Sequence, residues 1–156
     1  MHPRLVSQAQ KIRGVISLGE SYMKKSEIET ASFLAKHACV MCSGFLENGV
    51  TITLEEYSKN SCNVRTANYI AKRLYYFQNP KSESIIELLT EFDSIWGSKF
   101  RDYLAVDGRK EAIDSVMATR HQIAHGGDAG IGVVTIKNHF QRCEACIVHL
   151  ADYLVV

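Results

Sequence analysis

Apolar positions in this chain recur every three or four residues along almost its whole length, which predicts helices rather than strands. From about Arg4 to Lys25, the residues Leu5, Ile12, Val15, Ile16, Leu18 and Tyr22 mark a loosely amphipathic first helix. Ser26 with Glu29 reads as a capping box opening a second helix through Phe33, Leu34, Ala38, Val40, Met41 and Phe45. Asn48-Gly49 is expected to end it. The next segment has two readings: Val50-Thr51-Ile52-Thr53 suits a short extended piece, whereas Thr53 with Glu56 suits the cap of a short helix. A long helix is expected from Val64 to Phe77, stopping before Asn79-Pro80 because the residue before proline is driven out of the helical region. Ile85, Ile86, Leu88, Leu89 and Phe92 mark the next helix, and Asp93 can cap another carrying Trp96, Phe100 and Leu104. After a turn at Asp107-Gly108, Glu111 to His125 predicts a helix with Ile113, Val116, Met117 and Ile123 on its apolar side. Gly126, Gly127, Gly130 and Gly132 predict a flexible loop. Thr135 can cap a last helix with Phe140, Cys143, Ile147, Leu150 and Tyr153. The pattern is that of an all-α helical bundle. No repeat, low-complexity tract or linker divides it, so residues 1–156 are expected to form one domain.

Composition narrows the classes. A chain of 156 residues buries about 70% of its unfolded surface and needs no staple to fold. Its 46% hydrophobic and 22% charged residues are ordinary for a globular protein. A net charge of +1 gives no global pull on polyanions, so RNA affinity has to come from a local basic patch. No apolar run approaches the roughly 18 residues of a membrane span, and no membrane partner is expected. Met1-His2-Pro3-Arg4 lacks the apolar core of a signal peptide. Five cysteines, an odd number beside a full-size core, favour a reduced, cytoplasmic setting.

One segment concentrates chemistry: Arg120-His121-Gln122-Ile123-Ala124-His125, followed by Gly126-Gly127. Cleaving RNA without a metal needs a base for the 2′-hydroxyl proton, a fixed cation for the phosphate and an acid for the departing 5′-oxygen. Imidazole titrates near neutral pH and can be base or acid. Arginine stays charged and offers a planar fork matching two phosphate oxygens. Arg120 and His125 therefore suit a transesterification that leaves a 2′,3′-cyclic phosphate. On an ideal helix they point about 140° apart, at about 100° per residue. They converge if the last turn unwinds before Gly126, or if a two-fold mate completes the site. His121 and His125 share one face at i, i+4. The bland reading of the same residues is a solvated helix terminus whose cations complement the dipole.

Three further constellations stand out. Arg65, Lys72, Arg73 and Lys81 interleave with Tyr69, Tyr75, Tyr76 and Phe77, an RNA path of cations for phosphates and rings for bases. The plain alternative is a helix with an aromatic core face and a solvated basic face. Cys39-x-x-Cys42 and Cys143-x-x-Cys146 could hold a structural zinc, yet i, i+3 spacing inside helices is also what small core residues show. His121 and His125 lack the glutamate of a zincin and an obvious third ligand, so no metal site is expected there. Lys24-Lys25 and Arg109-Lys110 read as surface charges, the latter placed to line an approach to the motif helix.

The stretch RHQIAHGGD resembles the motif of the RiboL-PSP-HEPN group, in which an Arg, a polar residue and two variable residues precede Ala-His-Gly. The segments YIAKRLYYFQNPK, IIELLTEFDSIW, AIDSVMATRHQIAHG and VVTIKNHF are similar to that group's helices, so the likeness covers roughly residues 30 to 155. The resemblance implies a HEPN-like bundle, a homodimer with the motif at its interface, and no cofactor. It makes Arg120 and His125 the catalytic pair and His121 the polar residue supporting them. RNA would be the substrate, and a toxin or phage-defence setting with an inhibitory partner protein is implied. Some members are non-catalytic modules that bind RNA, nucleotides or partners, which is the alternative reading for this chain.

Overall fold

The computed structural model describes residues 1–127 and 129–154, and among them every regular element is a helix. In order these are α1 (Pro3–Lys24), α2 (Ile28–Ser61), α3 (Val64–Leu74), α4 (Ser82–Phe92), α5 (Ser94–Leu104), α6 (Arg109–Ala124) and α7 (Val133–Leu154). The all-α expectation holds, and no described helix is long and apolar enough to cross a membrane.

The α1–α2 turn differs from expectation for a local reason. The Ser26 N–H donates to the Met23 carbonyl and the Glu27 N–H to the Tyr22 carbonyl, both at 3.0 Å, with Ser26 at φ 62°. These bonds close α1 in a Schellman turn. Ser26 thus ends α1 and does not cap α2, whose N-cap is Glu27 with no side-chain bond.

The second helix does not stop at Asn48-Gly49. It runs unbroken for 34 residues, about 51 Å at the helical rise, so neither the extended piece at Val50–Thr53 nor a separate capped helix forms. A Cβ on Gly49 would lie 2.7 Å from Cδ1 and Cγ1 of Ile147. That glycine serves close approach of α7, not a stop. The Thr51 and Thr53 hydroxyls donate back to the carbonyls of Glu47 and Gly49 at 2.9 and 2.7 Å, which accommodates polar β-branched residues inside the helix.

Smaller shifts follow the same logic. Asn63 caps α3 by accepting from the Thr66 N–H at 3.0 Å. The helix then ends at Leu74, and Tyr75–Phe77 continue as a turn. Asp93 caps α5 as expected, accepting from the Ile95 N–H at 2.7 Å. The turn at Asp107-Gly108 has φ of 59° and 65°. Helix α7 begins at Val133, two residues before Thr135, with the Ile136 N–H on the Gly132 carbonyl. Arg109 is not a free surface charge. It opens α6, donates to the Tyr103 carbonyl and the Asp107 carboxylate, and lies 4.0 Å from the Tyr103 ring centroid.

Helix directions decide which ends meet. Arg13 pairs with Glu144 and Glu20 with Lys137, so α1 and α7 run antiparallel. The α1–α2 hairpin and the α6–α7 connection then place the C-terminal end of α6 beside the α1–α2 turn and the start of α7. Phe45 and Phe140 meet edge to face at 5.6 Å in the core between α2 and α7. Ile113, Val116 and Met117 anchor α6 to that core. Removing a buried phenylalanine there would cost about 3–5 kcal/mol.

Candidate active site

The motif occupies the last turn of α6, and the local sequence explains the ending. The His125 N–H still donates to the His121 carbonyl at 3.2 Å, so the α-helical ladder persists through His125. Gly126 N–H then bonds the Ile123 carbonyl at 3.2 Å and Gly127 N–H the Gln122 carbonyl at 2.9 Å. This is a Schellman turn with Gly126 at φ +70°, a backbone region that glycine enters without strain. The last turn therefore does not unwind. Arg120 and His125 keep an offset of about 140° at about 100° per residue.

His121 and His125 do come together. Both are exposed, and their ring centroids lie 4.3 Å apart at 59°. Arg120 is half-buried and makes no hydrogen bond or ion pair among the described residues, leaving its guanidinium available to an anion. Two described residues of the glycine-bearing loop after the motif turn inward. Ala129 and Ile131 are buried, and the Ile131 N–H turns back to the Ala129 carbonyl at 2.9 Å.

The basic set does not converge on the motif. Arg65, Lys72, Arg73 and Lys81 are all exposed. Lys81 comes nearest in the fold, because Ser82 donates its N–H and hydroxyl to Asp114 at 2.8 and 2.9 Å. Asp114 precedes Arg120 by six positions, about 9 Å along the axis. The Asp114 carboxylate also supplies α4 with an N-terminal cap from another helix, a signal that no local sequence pattern carries. Tyr69, Tyr75 and Tyr76 are 65%, 74% and 72% exposed, so the three tyrosines of this segment are a surface, and of its four aromatic positions only Phe77 packs against the core. Arg73, Tyr69 and Tyr76 line one wall of a groove of about 770 Å³ between α3 and α4. None of the motif residues lines it. Room and motif chemistry lie apart in one chain, and the titratable pair, not the volume, marks the catalytic candidate.

Sequence periodicity also groups Phe33 and Val40 with the apolar positions of α2, but they face solvent, Phe33 at 71% exposure. With exposed His37 they form a stripe at i, i+4, i+7 on the helix against which α6 packs. Nothing among the described residues covers it.

The two Cys-x-x-Cys pairs meet in the α2–α7 core, all four side chains buried. Burial, then the neighbouring Cys143, pushes the Cys39 and Cys146 thiols up to about 12. A hydrogen bond with Cys42, then burial, raises Cys143. All four thus pack as small buried core residues between α2 and α7. Among the described residues no group of three or more His, Cys, Asp or Glu is arranged to hold a metal ion.

Comparison with known proteins agrees with this architecture. The family model RiboL-PSP-HEPN matches residues 10–156. No curated protein and no solved structure matches the chain. A match over nearly the whole length, on an all-helical bundle that carries the Arg-x4-His segment at a helix end, places this chain in the RiboL-PSP-HEPN family.

Proposed function

We propose that this protein is a metal-independent endoribonuclease of a single domain, acting as a homodimer. The observation that carries the reading is the motif end of α6: Arg120, whose guanidinium has no partner among the described residues, in the same helix end as two exposed, mutually contacting imidazoles at a terminus held by Gly126. One imidazole, assigned to His125, removes the proton of a 2′-hydroxyl. The O2′ atom attacks phosphorus, the P–O5′ bond breaks, and a second imidazole delivers a proton to O5′. The products are a 2′,3′-cyclic phosphate and a 5′-hydroxyl. Arg120 holds the charge that builds on the phosphate oxygens, and His121 supports His125 or shares its proton.

The second copy answers the geometry. Arg120 and His125 diverge on one helix, so a two-fold mate that brings the paired motif ends together puts Arg120 of one chain near His125 of the other. The uncovered stripe of Phe33, His37 and Val40 is the surface we assign to that mate. Burying a large exposed apolar side chain against it stabilises the pair by about 1.5–3 kcal/mol per residue.

The test is cleavage of labelled structured RNA in EDTA by the wild type and by His125→Ala, with product ends identified. Cutting to 2′,3′-cyclic phosphate ends, lost in the variant while its circular dichroism and Tm are unchanged, is the expected result. A variant that still cuts at the wild-type rate overturns the assignment. Wild-type protein that binds RNA and never cuts it turns the reading to a non-catalytic binding module.

A further inference from the structure

The groove between α3 and α4 carries chemistry that the motif does not use. Helix α3 packs chiefly on α2 and leaves its other flank open toward α4. The floor between them is apolar, built from the partly buried Ile70, Phe77, Leu88 and Phe92. The two rims differ. On the α3 side stand Tyr69 and Arg73, one turn apart on the helix, and Tyr76 in the turn that follows it, while Lys72 and Arg65 continue the positive side of α3. On α4 stand Glu87 and Glu91, one turn apart. All of these are exposed, and none of the five charged side chains makes an ion pair or hydrogen bond among the described residues. Charges of opposite sign thus face an open apolar slot without neutralising each other. At about 770 Å³ the slot falls in the roughly 300–1,000 Å³ range of small-ligand sites.

A ligand that satisfies this arrangement needs a flat apolar body, an anionic flank toward α3 and a hydrogen-donating edge toward α4. We propose that the α3–α4 groove is a subsite for an unpaired guanosine of an RNA strand. This rests on the reading of the chain as an RNA-acting protein. The backbone phosphates run along the Arg65–Lys72–Arg73 rim, away from the carboxylates that would repel them. The base crosses the slot and stacks on the tyrosine rings. A carboxylate only accepts hydrogen bonds. Guanine alone offers two adjacent donors on its pairing edge, N1–H and the N2 amine, and one carboxylate accepts both. Adenine and cytosine set an acceptor beside their amine, and uracil flanks its single donor with two carbonyls, so each opposes the second carboxylate oxygen. A paired guanine has this edge occupied, which restricts the site to single-stranded segments. Helix α4 leaves the Asp114 contact and runs toward Trp96, which meets Tyr57 and Tyr153 at the end of the bundle opposite the motif. The subsite therefore chooses a strand at a distance from the bond to be cut.

The test uses the full chain and short 2′-O-methyl oligoribonucleotides, which cannot be cleaved, made of uridine with one central guanosine, adenosine, cytidine or uridine. Binding is read by fluorescence anisotropy. The expected result is at least about fivefold tighter binding of the guanosine oligomer, the low end for one bidentate base contact. Glu87→Gln/Glu91→Gln should abolish that preference and shift it toward adenosine, because an amide pairs one donor with one acceptor. Tyr76→Ala should weaken the guanosine oligomer most. Equal binding of all four oligomers by wild type overturns the guanosine subsite and leaves the ribonuclease reading standing. Failure to bind any of them, with no RNA cleavage either, overturns the reading beneath it. A wild-type oligomer that Tyr76→Ala dissolves into smaller species makes the groove a face for self-association and also overturns the proposal.

Discussion

Two residues hold the same backbone position with different side chains. Ser26 and Gly126 each close a helix as the left-handed residue of a Schellman turn, at φ 62° and 70°. A non-glycine residue there bears strain of about 1–2 kcal/mol, partly offset by the larger chain entropy that glycine loses on folding. Ser26→Gly should therefore raise stability by up to about 1 kcal/mol, and Gly126→Ala should lower it by about 1 kcal/mol or more. Urea unfolding of both variants checks the signs. The motif variant has a second readout: tilting the helix end redirects His125, so Gly126→Ala should lose more cleavage rate than its stability loss explains. At this scale the sequence was informative about the motif. Arg120, His121, His125 and Gly126 fall within one seven-residue stretch, and a Schellman turn is likewise made of residues close in sequence. Ser26 misleads for the same reason, since a serine before Glu29 fits a cap locally and only the bonds of Tyr22 and Met23 show it ending the previous helix.

Between elements, close approach of α2 and α7 depends on the missing side chain at Gly49. Alanine is the better helix former by about 1 kcal/mol, but its Cβ would collide with three carbons of buried Ile147 at 2.7–2.9 Å. Overpacking of this kind costs about 1–3 kcal/mol. Gly49→Ala should be net destabilising, and a double-mutant cycle with Ile147→Ala should show favourable coupling, since the truncated partner admits the new methyl group. Additive effects would mean that the helices move apart freely. Gly49 also shows the limit of reading elements from local pattern. Asn48-Gly49 has the chemistry of a helix stop, yet the partner that keeps the helix going lies in α7. The Asp114 cap on α4 is hidden the same way, its partners 32 positions apart. Asn63 before Thr66, by contrast, is a short-range cap open to inspection. The α3–α4 groove joins two helices by tertiary placement, so neither rim reveals the other in sequence.

Over the whole molecule, two histidines make folding sensitive to acid. Burial, then Arg142, lowers His139; burial, then Arg109, lowers His149 against an opposing pull from Asp152. The folded chain binds these protons less tightly than the unfolded chain does. Their contribution is complete above the unfolded value of about 6.5 and is lost as pH falls below it and through the lowered folded values. The Tm should drop as pH falls from about 7.5 to 5. His149→Phe, which keeps a ring against Tyr103 (3.7 Å between centroids), should flatten that fall. An unchanged slope would assign the acid response to other groups. The four buried thiols give the α2–α7 interface a different property. Buried in the core, they are shielded from alkylating reagents while the helices stay together, and become reactive only on separation. Half-exposed Cys62 stands outside the cluster and reports the reagent itself. The native sequence thus contains its own clock for breathing of the core, read as labelling of four sulfurs against one, with no dye and no engineered probe.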